Sequence, residues 1–287
     1  FLDFSSAFNT VSRATILDTV NRNSPKWFGE IISDYFTGVS QTVRCGKLSS
    51  DPMECNTGVI QGSILGPSCF TLVTSSLAVN DPNSRLIKYS DDTCLVFVLR
   101  KSDDWNRYQS VVSSISEWAA KNHLILNPSK TQELVFVNPN VRNPVIMGLA
   151  GKHIQIEGVE IVPSTEVKYL GVWIDSTLRF TKHIDYSLKK CFALSHYAAR
   201  LLRKCNSTKA INDFIRACIL PIAVYGLPCF VGFLSEEDIR SIRRVLKRLA
   251  NLSNCDRSRI CNQFVDNLSS SAKRLCRLSR HLCINHT

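Results

Sequence analysis

Residues 87–98 have the sequence IKYSDDTCLVFV, in which Asp91 and Asp92 lie between two runs of apolar and β-branched residues. Two such runs around a short polar pair predict a β-hairpin with the acids at its turn. Adjacent carboxylates repel each other unless a cation neutralises them, and hard oxygen ligands suit Mg²⁺. Taken alone, the pair is more typical of a solvated polar turn, so its interpretation depends on the rest of the chain.

A third acid lies near the start of the chain. Residues 1–10 have the sequence FLDFSSAFNT, and residues 1–4 predict a strand that carries Asp3 among apolar residues. A charge inside an apolar strand costs free energy unless it faces a cleft or a metal ion. If this strand lies beside the hairpin, then Asp3, Asp91 and Asp92 form one acidic cluster.

The excess positive charge is confined to the last third of the chain. The net charge of the 287 residues is +11, yet residues 1–181 hold 16 Lys and Arg against 17 Asp and Glu. Residues 182–287 hold 19 against 7. This asymmetry indicates a polyanionic partner, with nucleic acid the first candidate, although a merely soluble basic surface carries the same charge.

A glycine-rich loop precedes an apolar stretch. Residues 58–67 have the sequence GVIQGSILGP, whose glycines let the backbone approach a ligand closely. Pro67 suits the first turn of a helix, which we predict to continue over residues 68–78. The loop matches neither the P-loop nor the GxGxxG dinucleotide fingerprint, so by itself it is a weak functional signal.

The remaining periodicities predict an amphipathic helix over 102–121, a hairpin over 153–161 and a strand over 168–175. From residue 183 onward the pattern is helical, with Ser235 and Asp238 forming a capping box for a basic helix. Residues 217–235 carry no charge and are long enough to span a membrane. Because prolines and glycines interrupt them, we predict a buried helix pair instead.

The chain contains 12 cysteines without the spacing of a disulfide framework, and no secretory signal peptide is evident. We therefore expect reduced, mostly buried thiols in an intracellular protein. A Cys- and His-containing tail over 255–287 lacks the short Cys pair of common zinc modules. Zinc binding by this tail is therefore kept only as an alternative interpretation. The first residue is Phe1 within an apolar run, which predicts a fragment of a longer protein.

Together these motifs resemble the palm of a reverse transcriptase, and most closely that of LINE-type (non-LTR) retrotransposon polymerases of the jockey-like and fish Rex-like group. Residues 1–10, 58–67 and 89–92 resemble the first three palm motifs of that family. Residues 118–131 resemble the fourth motif. Residues 169–175, together with His183, resemble the fifth motif, which is known as the primer grip.

Two local departures from the family pattern leave its catalytic groups in place: Ile60 stands where Pro is usual, and Ser90 where Ala is usual. A larger departure is that the chain covers only part of the family's usual length. The fingers subdomain, whose basic residues hold the incoming triphosphate in this family, would precede Phe1, as would the usual endonuclease.

The resemblance implies an α+β fold. A polymerase palm, with an antiparallel sheet and packed helices, would occupy residues 1–180 and include the primer-grip hairpin. An all-helical basic thumb-like region would follow over 181–254, and then the basic Cys- and His-containing helical tail over 255–287.

The implied function is RNA-directed DNA synthesis on an RNA template and a DNA primer, with deoxynucleoside triphosphates as substrates and without membrane attachment. The implied location is the cytoplasm and nucleus, as a retrotransposon ribonucleoprotein. One alternative is a catalytically inert polymerase remnant that at most binds nucleic acid. A poorer alternative is an RNA-dependent RNA polymerase, because Phe8 offers no polar group to a ribose 2′-hydroxyl.

By the same resemblance, Asp3 and Asp91 bridge two Mg²⁺ ions, for which Mn²⁺ can substitute, and Asp92 is a weaker ligand. Phe8 is the steric gate that favours deoxynucleotides. Lys130 is either the general acid for the pyrophosphate leaving group or a solvated turn lysine.

Three further sets of residues receive roles from the resemblance. Gln61 and Gly62 contact the nucleotide or the template base. The primer end is braced by Tyr169, Leu170 and Gly171. The nucleic-acid backbone is contacted by basic side chains, namely Lys189, Lys190, Arg203, Lys204, Arg243, Arg244 and Lys247.

Overall fold

The structure is a computed structural model that describes residues 1–101, 103–136, 151–202 and 207–253. These residues form helices and small antiparallel sheets, which confirms the predicted α+β class at the level of mixed helix and sheet. They divide into two compact units. The first holds residues 1–133 and 151–164, and the second holds residues 134–136, 165–202 and 207–253. The predicted tail over 255–287, Arg203 and Lys204 lie outside the described residues.

The first unit contains helices and paired strands in alternation. Its helices are α1 (Ala7–Thr10), α2 (Arg13–Asn23), α3 (Lys26–Phe36), α4 (Leu65–Ser75) and α5 (Asp104–Lys121). Its strands are β1 (Ser40–Gln41), β2 (Arg44–Cys45), β3 (Leu48–Ser49), β4 (Met53–Glu54), β5 (Ser84–Tyr89), β6 (Asp92–Phe97), β7 (Ile154–Ile156) and β8 (Val159–Ile161). The strands pair antiparallel as β1 with β4, β2 with β3, β5 with β6 and β7 with β8. The predicted hairpin around residues 157–158 is thus confirmed. The hairpin with the acids is confirmed as well, but its turn consists of Ser90 and Asp91, and Asp92 is the first residue of β6 instead of a turn residue.

One face of the β5–β6 hairpin packs on the helices of the first unit. Leu86, Leu95 and Phe97 contact the main core, in which Phe70 of α4 and Ile115 of α5 are fully buried. Lys88 lies on the same face, because side chains two positions apart share a face of a strand. Its ammonium donates to carbonyl oxygens at the C-terminal end of α4, where the helix dipole favours a cation.

The second unit begins with a two-stranded hairpin and continues as helices in its described part. The hairpin consists of β9 (Glu166–Tyr169) and β10 (Val172–Asp175), and the helices are α6 (Thr181–Leu202), α7 (Thr208–Phe214), α8 (Leu220–Val224), α9 (Leu227–Phe230) and α10 (Glu236–Ser253). A π-helical segment (Ile215–Ile219) joins α7 to α8, and a 3₁₀ turn (Val231–Phe233) follows α9. The boundary at residue 180 between palm and thumb stays a prediction.

The single strand predicted over 168–175 is wrong, because the structure reverses the chain at residues 170 and 171. Leu170 has φ 45° and Gly171 has φ 81°, so both central residues of the turn are left-handed. Two-residue hairpins favour this backbone, since its twist matches that of the flanking strands. A leucine at the first turn position gave no turn signal in the sequence.

The uncharged stretch after residue 216 forms a series of short helices in place of the predicted helix pair. Pro221 stands at the start of α8, and Gly226 with φ 68° separates α8 from α9. Within the described residues, Lys209–Phe233 is long and apolar enough to span a membrane by length and composition, a property that core helices share. Ile211, Ile215 and Ile219 of this stretch are buried in the core of the second unit.

The capping box predicted for the basic helix is confirmed. The Ser235 backbone N–H donates to the Asp238 carboxylate at 2.9 Å, and the Asp238 N–H donates to the Ser235 hydroxyl at 3.1 Å. Along α10, Ile242, Val245 and Leu249 are buried, a spacing that places them on one helical face.

The cysteines of the described residues are unpaired. Cys69, Cys94 and Cys191 are buried, as the prediction of buried thiols requires. The other described cysteines are exposed or half-buried, so the prediction was wrong for them: Cys45, Cys55, Cys218 and Cys229.

Candidate active site

The first five residues lie between two other segments of the first unit. On one side, the Leu2 N–H donates to the Thr93 carbonyl at 2.8 Å in an antiparallel bridge with β6. On the other side, the Asn127 N–H donates to the Asp3 carbonyl at 2.7 Å. The segment is therefore held at both edges, and β6 lies between it and β5. Leu2 and Phe4 point into the core, which leaves Asp3 on the opposite face.

The antiparallel register brings Asp3 and Asp92 opposite each other. Because Leu2 pairs with Thr93, the next residue of one segment faces the preceding residue of the other. Side chains directly opposite in such a pair have Cβ atoms about 4.5–5.5 Å apart. The pKa of Asp92 is raised by burial first, and then by the charges of Asp91 and Asp3. The charges of Asp91 and Asp3 therefore act on Asp92, while the metal-binding cluster of all three acids stays a prediction.

Asp91 lies in the two-residue turn between β5 and β6. Tyr89 pairs with Asp92 across the turn, and Ser90 adopts the left-handed conformation with φ 57°. Serine is an uncommon residue for this backbone, but a short polar side chain tolerates it better than a branched one. The Asp91 side chain is exposed at the tip of the hairpin.

The Asp3 carboxylate has an oxygen that suits a cation. Its Oδ2 atom is buried and has no hydrogen-bond partner, a costly arrangement for a charged group. The Lys130 ammonium lies 4.0 Å from that oxygen, with 67% of its side chain exposed. Within the residues described, no three His, Cys, Asp or Glu side chains are already gathered into a metal-ready group. The orphaned oxygen and the mutual repulsion of the acids fit a divalent cation, provided that Asp91 turns inward.

Phe8, five positions after Asp3 in the chain, packs against the main core. Its ring stacks on that of Phe70 with centroids 4.7 Å apart, and it is half-buried. Its carbonyl accepts a hydrogen bond from the Val59 N–H at 2.8 Å, which ties α1 to the glycine-rich loop. Gly58 fits closely here: a Cβ atom would lie 2.7 Å from the Asn9 carbonyl oxygen.

The glycine-rich loop carries Gln61 and Gly62 on its exposed side. The Gln61 side-chain amide donates to the Asn9 side-chain carbonyl at 2.8 Å. Gly62 has φ 83°, and a Cβ atom added there would meet nothing within 4 Å, so space remains for a ligand. The base of the loop is held by Arg13, which donates to the Gly58 carbonyl at 3.0 Å. Sequence reasoning missed Asn9 and Arg13, although Asn9 lay inside a quoted motif.

In the second unit, Tyr169, Leu170 and Gly171 occupy the end of β9 and the tip of the β9–β10 hairpin. The Leu170 carbonyl accepts a hydrogen bond from the Tyr225 hydroxyl at 2.6 Å. Sequence reasoning also missed Tyr225. It lies 55 positions after Leu170, in an uncharged stretch whose prolines and glycines gave no indication of a contact with the hairpin.

The basic side chains assigned to a nucleic-acid backbone are exposed wherever the structure describes them. On α6 these are Lys189 and Lys190, and on α10 they are Arg243, Arg244 and Lys247. The Lys190 ammonium lies 4.6 Å from the centre of the Tyr186 ring and lowers the pKa of that tyrosine by hydrogen bonding. Arg248, by contrast, donates to the Ser195 hydroxyl at 3.1 Å and joins α10 to α6.

The sequence profile of the family described as reverse transcriptase (RNA-dependent DNA polymerase) matches residues 1–174. Among named relatives, the probable RNA-directed DNA polymerase from transposon BS of Drosophila melanogaster is 27% identical over 258 residues. That alignment covers 86% of this chain and 28% of the relative. The RNA-directed DNA polymerase from mobile element jockey of Drosophila funebris is 28% identical over 257 residues, with 85% and 27% covered.

A third relative, the probable RNA-directed DNA polymerase from the X-element transposon of Drosophila melanogaster, is 25% identical over 259 residues. It is covered over 28% of its length, and this chain over 88%. The chain therefore spans little more than a quarter of the length of the curated relatives it matches. The resemblance to the jockey-like group is confirmed by these matches.

Proposed function

The chain belongs to the reverse transcriptase (RNA-dependent DNA polymerase) family, and from this membership we propose that it copies RNA into DNA as part of a non-LTR retrotransposon polymerase. The observation that supports the proposal most is the register that sets Asp3 opposite Asp92, beside Asp91 at the hairpin turn. Acids arranged across two neighbouring strands suit nucleotidyl transfer catalysed by metal ions.

Two Mg²⁺ ions would neutralise the charge that develops on the attacking and leaving oxygens. Asp3 and Asp91 would hold them, with Asp92 as the weaker ligand, and Mn²⁺ would substitute for Mg²⁺. Burial raises the pKa of Asp92, the charges of Asp91 and Asp3 raise it further, and a bound cation would relieve this repulsion.

Other residues of the first unit would bind and orient the substrates. Phe8 presents a ring without polar atoms, which leaves no hydrogen-bond partner for a ribose 2′-hydroxyl and favours deoxynucleoside triphosphates. Gln61 and the open backbone at Gly62 would contact the base pair. The exposed Lys130 ammonium would donate a proton to the leaving pyrophosphate, and its distance of 4.0 Å from Asp3 keeps it near the acids.

The second unit would hold the nucleic acid. Tyr169, Leu170 and Gly171 would brace the primer end, and the exposed cations of α6 and α10 would contact the backbone of the RNA template and DNA primer, which makes these helices thumb-like. The cytoplasm and nucleus, reached as a ribonucleoprotein, are the compartments such an element requires.

A second candidate function is nucleic-acid binding without synthesis. It is favoured by one observation: within the described residues, the acids do not form a metal-ready group in this structure. The exposed cations of α10 do not depend on the acidic cluster, so a chain that cannot catalyse synthesis can still bind nucleic acid.

Primer extension on an RNA template, paired with anisotropy measurements of duplex binding, separates the two functions. We expect the chain to extend a primer with Mg²⁺. Asp91→Asn should abolish extension, because the change removes the charge of one metal ligand. The duplex affinity of this variant should stay within about twofold of the unaltered chain. Asp51→Asn, at an exposed acid of the same unit, is the matched control and is expected to extend normally. Extension by Asp91→Asn at the normal rate would refute the metal assignment. Binding by the unaltered chain without extension would favour the second candidate.

A further inference from the structure

The tip of the β9–β10 hairpin is held by a residue from the other end of the second unit. Tyr225 follows α8 directly, and its hydroxyl donates to the Leu170 carbonyl at 2.6 Å. A carbonyl at the tip of a two-residue turn has no partner in the strand ladder, so an outside donor satisfies a group that water would otherwise bind.

The ring of the same tyrosine packs against the turn. A Cβ atom built on Gly171 would lie 3.0 Å from Cε1 of Tyr225 and 3.3 Å from its hydroxyl oxygen. Gly171 also has φ 81°, a conformation that L side chains rarely adopt. Glycine thus serves two needs at this position, the left-handed turn and the close approach of the aromatic ring.

Tyr225 is itself anchored to the interior of the second unit. A Cβ atom on the next residue, Gly226, would lie 2.7 Å from a methyl group of Val172, so the backbone rests directly on β10. The Tyr225 carbonyl lies 3.4 Å from Nε2 of His183, a residue of α6 that is only 2% exposed. Contacts therefore run continuously from α6 through Tyr225 to the hairpin tip.

We propose that Tyr225 is a positioning residue for primer extension, which fixes the Leu170–Gly171 turn so that the turn holds the primer end in one place. The inference rests on the proposed function, in which residues 169–171 brace the primer. An unsupported turn moves on the nanosecond to microsecond scale, whereas a turn tied by a hydrogen bond and a packed ring keeps its place. A displacement of about 1 Å at a reacting end lowers a rate by up to about 100-fold.

The decisive variant is Tyr225→Phe, which keeps the ring on Gly171 and removes only the hydroxyl. Tyr197→Phe is the matched control, because Tyr197 is an exposed tyrosine of the same unit whose ring contacts Phe214. Hydrogen exchange of the peptide spanning residues 168–173 reports on the turn without any need for activity. We expect it to be about five- to tenfold faster in Tyr225→Phe, the effect of one lost hydrogen bond, and unchanged in the control.

A second readout tests the position of the primer. A primer with a photoreactive 3′ nucleotide, annealed to an RNA template, is cross-linked to the chain, and the modified residues are mapped by mass spectrometry. We expect cross-links at residues 169–171 in the unaltered chain and a scattered pattern in Tyr225→Phe. In extension assays normalised to active sites, we expect kcat to fall about tenfold while KM for the deoxynucleotide stays the same.

Each outcome bears on the proposal. Unchanged exchange in Tyr225→Phe would overturn the fixing of the turn, and faster exchange with the same cross-links and kcat would overturn the positioning of the primer. Absence of cross-links at 169–171 in the unaltered chain would also overturn it. If the unaltered chain binds the primer but does not extend it, the proposed synthesis fails, and the cross-links still decide whether Tyr225 positions the primer.

Discussion

Gly58 is the point at which the glycine-rich loop rests on the backbone of α1, and its replacement by alanine tests that contact. Its φ of +74° places a Cβ atom 2.7 Å from the Asn9 carbonyl oxygen and 2.8 Å from that of Phe8. Both atoms belong to backbone, so neither can rotate away. The left-handed conformation costs about 1–2 kcal/mol in any L residue with a side chain. Overpacking against fixed atoms adds about 1–3 kcal/mol.

We therefore expect Gly58→Ala to lower the free energy of unfolding of the first unit by about 2–5 kcal/mol. Gly46→Ala is the matched control, because Gly46 also has a positive φ, of +61°, while its added Cβ atom would meet nothing within 4 Å. The control is expected to lose only the conformational cost of about 1–2 kcal/mol. The smaller entropy of the unfolded alanine chain is common to both variants and cancels in the comparison.

Urea unfolding followed by tryptophan fluorescence measures this difference. Of the four tryptophans, Trp173 alone lies in the second unit, so a Trp173→Phe background confines the signal to the first unit. Equal losses in Gly58→Ala and Gly46→Ala would show that the loop does not rest on the α1 carbonyls, and the argument from close contact would fail.

Three further outcomes are expected. Phe8→Ala opens space beside a ribose, so incorporation of ribonucleotides should rise relative to deoxynucleotides in a competition assay; an unchanged ratio would exclude Phe8 as the gate. Reversing the exposed charges of Arg243 and Arg244 to Glu should weaken duplex binding and reduce the slope of log affinity against log salt by about 2, whereas Arg22→Glu in the first unit should not. Burial lowers the pKa of His183, so the unfolded chain takes up a proton first as pH falls. Stability should therefore drop as pH falls below about 6.5, more steeply than in His183→Gln, and parallel pH profiles would contradict this.

Much of the local structure could be predicted from short patterns. The β5–β6 hairpin follows from apolar runs on either side of a polar pair, and the cap of α10 follows from Ser235 and Asp238 three positions apart. In each case the interacting groups are within a few residues of one another, so the pattern contains all the participants. The apolar strand predicted for residues 1–4 likewise identified Asp3 as a charge that must face a cleft or a metal ion.

The partners of those elements depended on the tertiary structure. Asp3 faces Asp92 because Leu2 pairs with Thr93, a register between segments about 90 positions apart. A local sequence pattern contains no information about such a register. The register is set when the apolar face of each segment packs against the core.

The β9–β10 turn shows the same division. Periodicity predicted a continuous strand through Gly171, whereas the family resemblance implied a primer-grip hairpin. The structure supplied Tyr225 as the donor to the turn. The chain by itself therefore determined which residues are chemically unusual, because charge, glycine and periodicity are local properties. Which of them meet was decided only in the folded chain, where many weak contacts between distant segments select one arrangement.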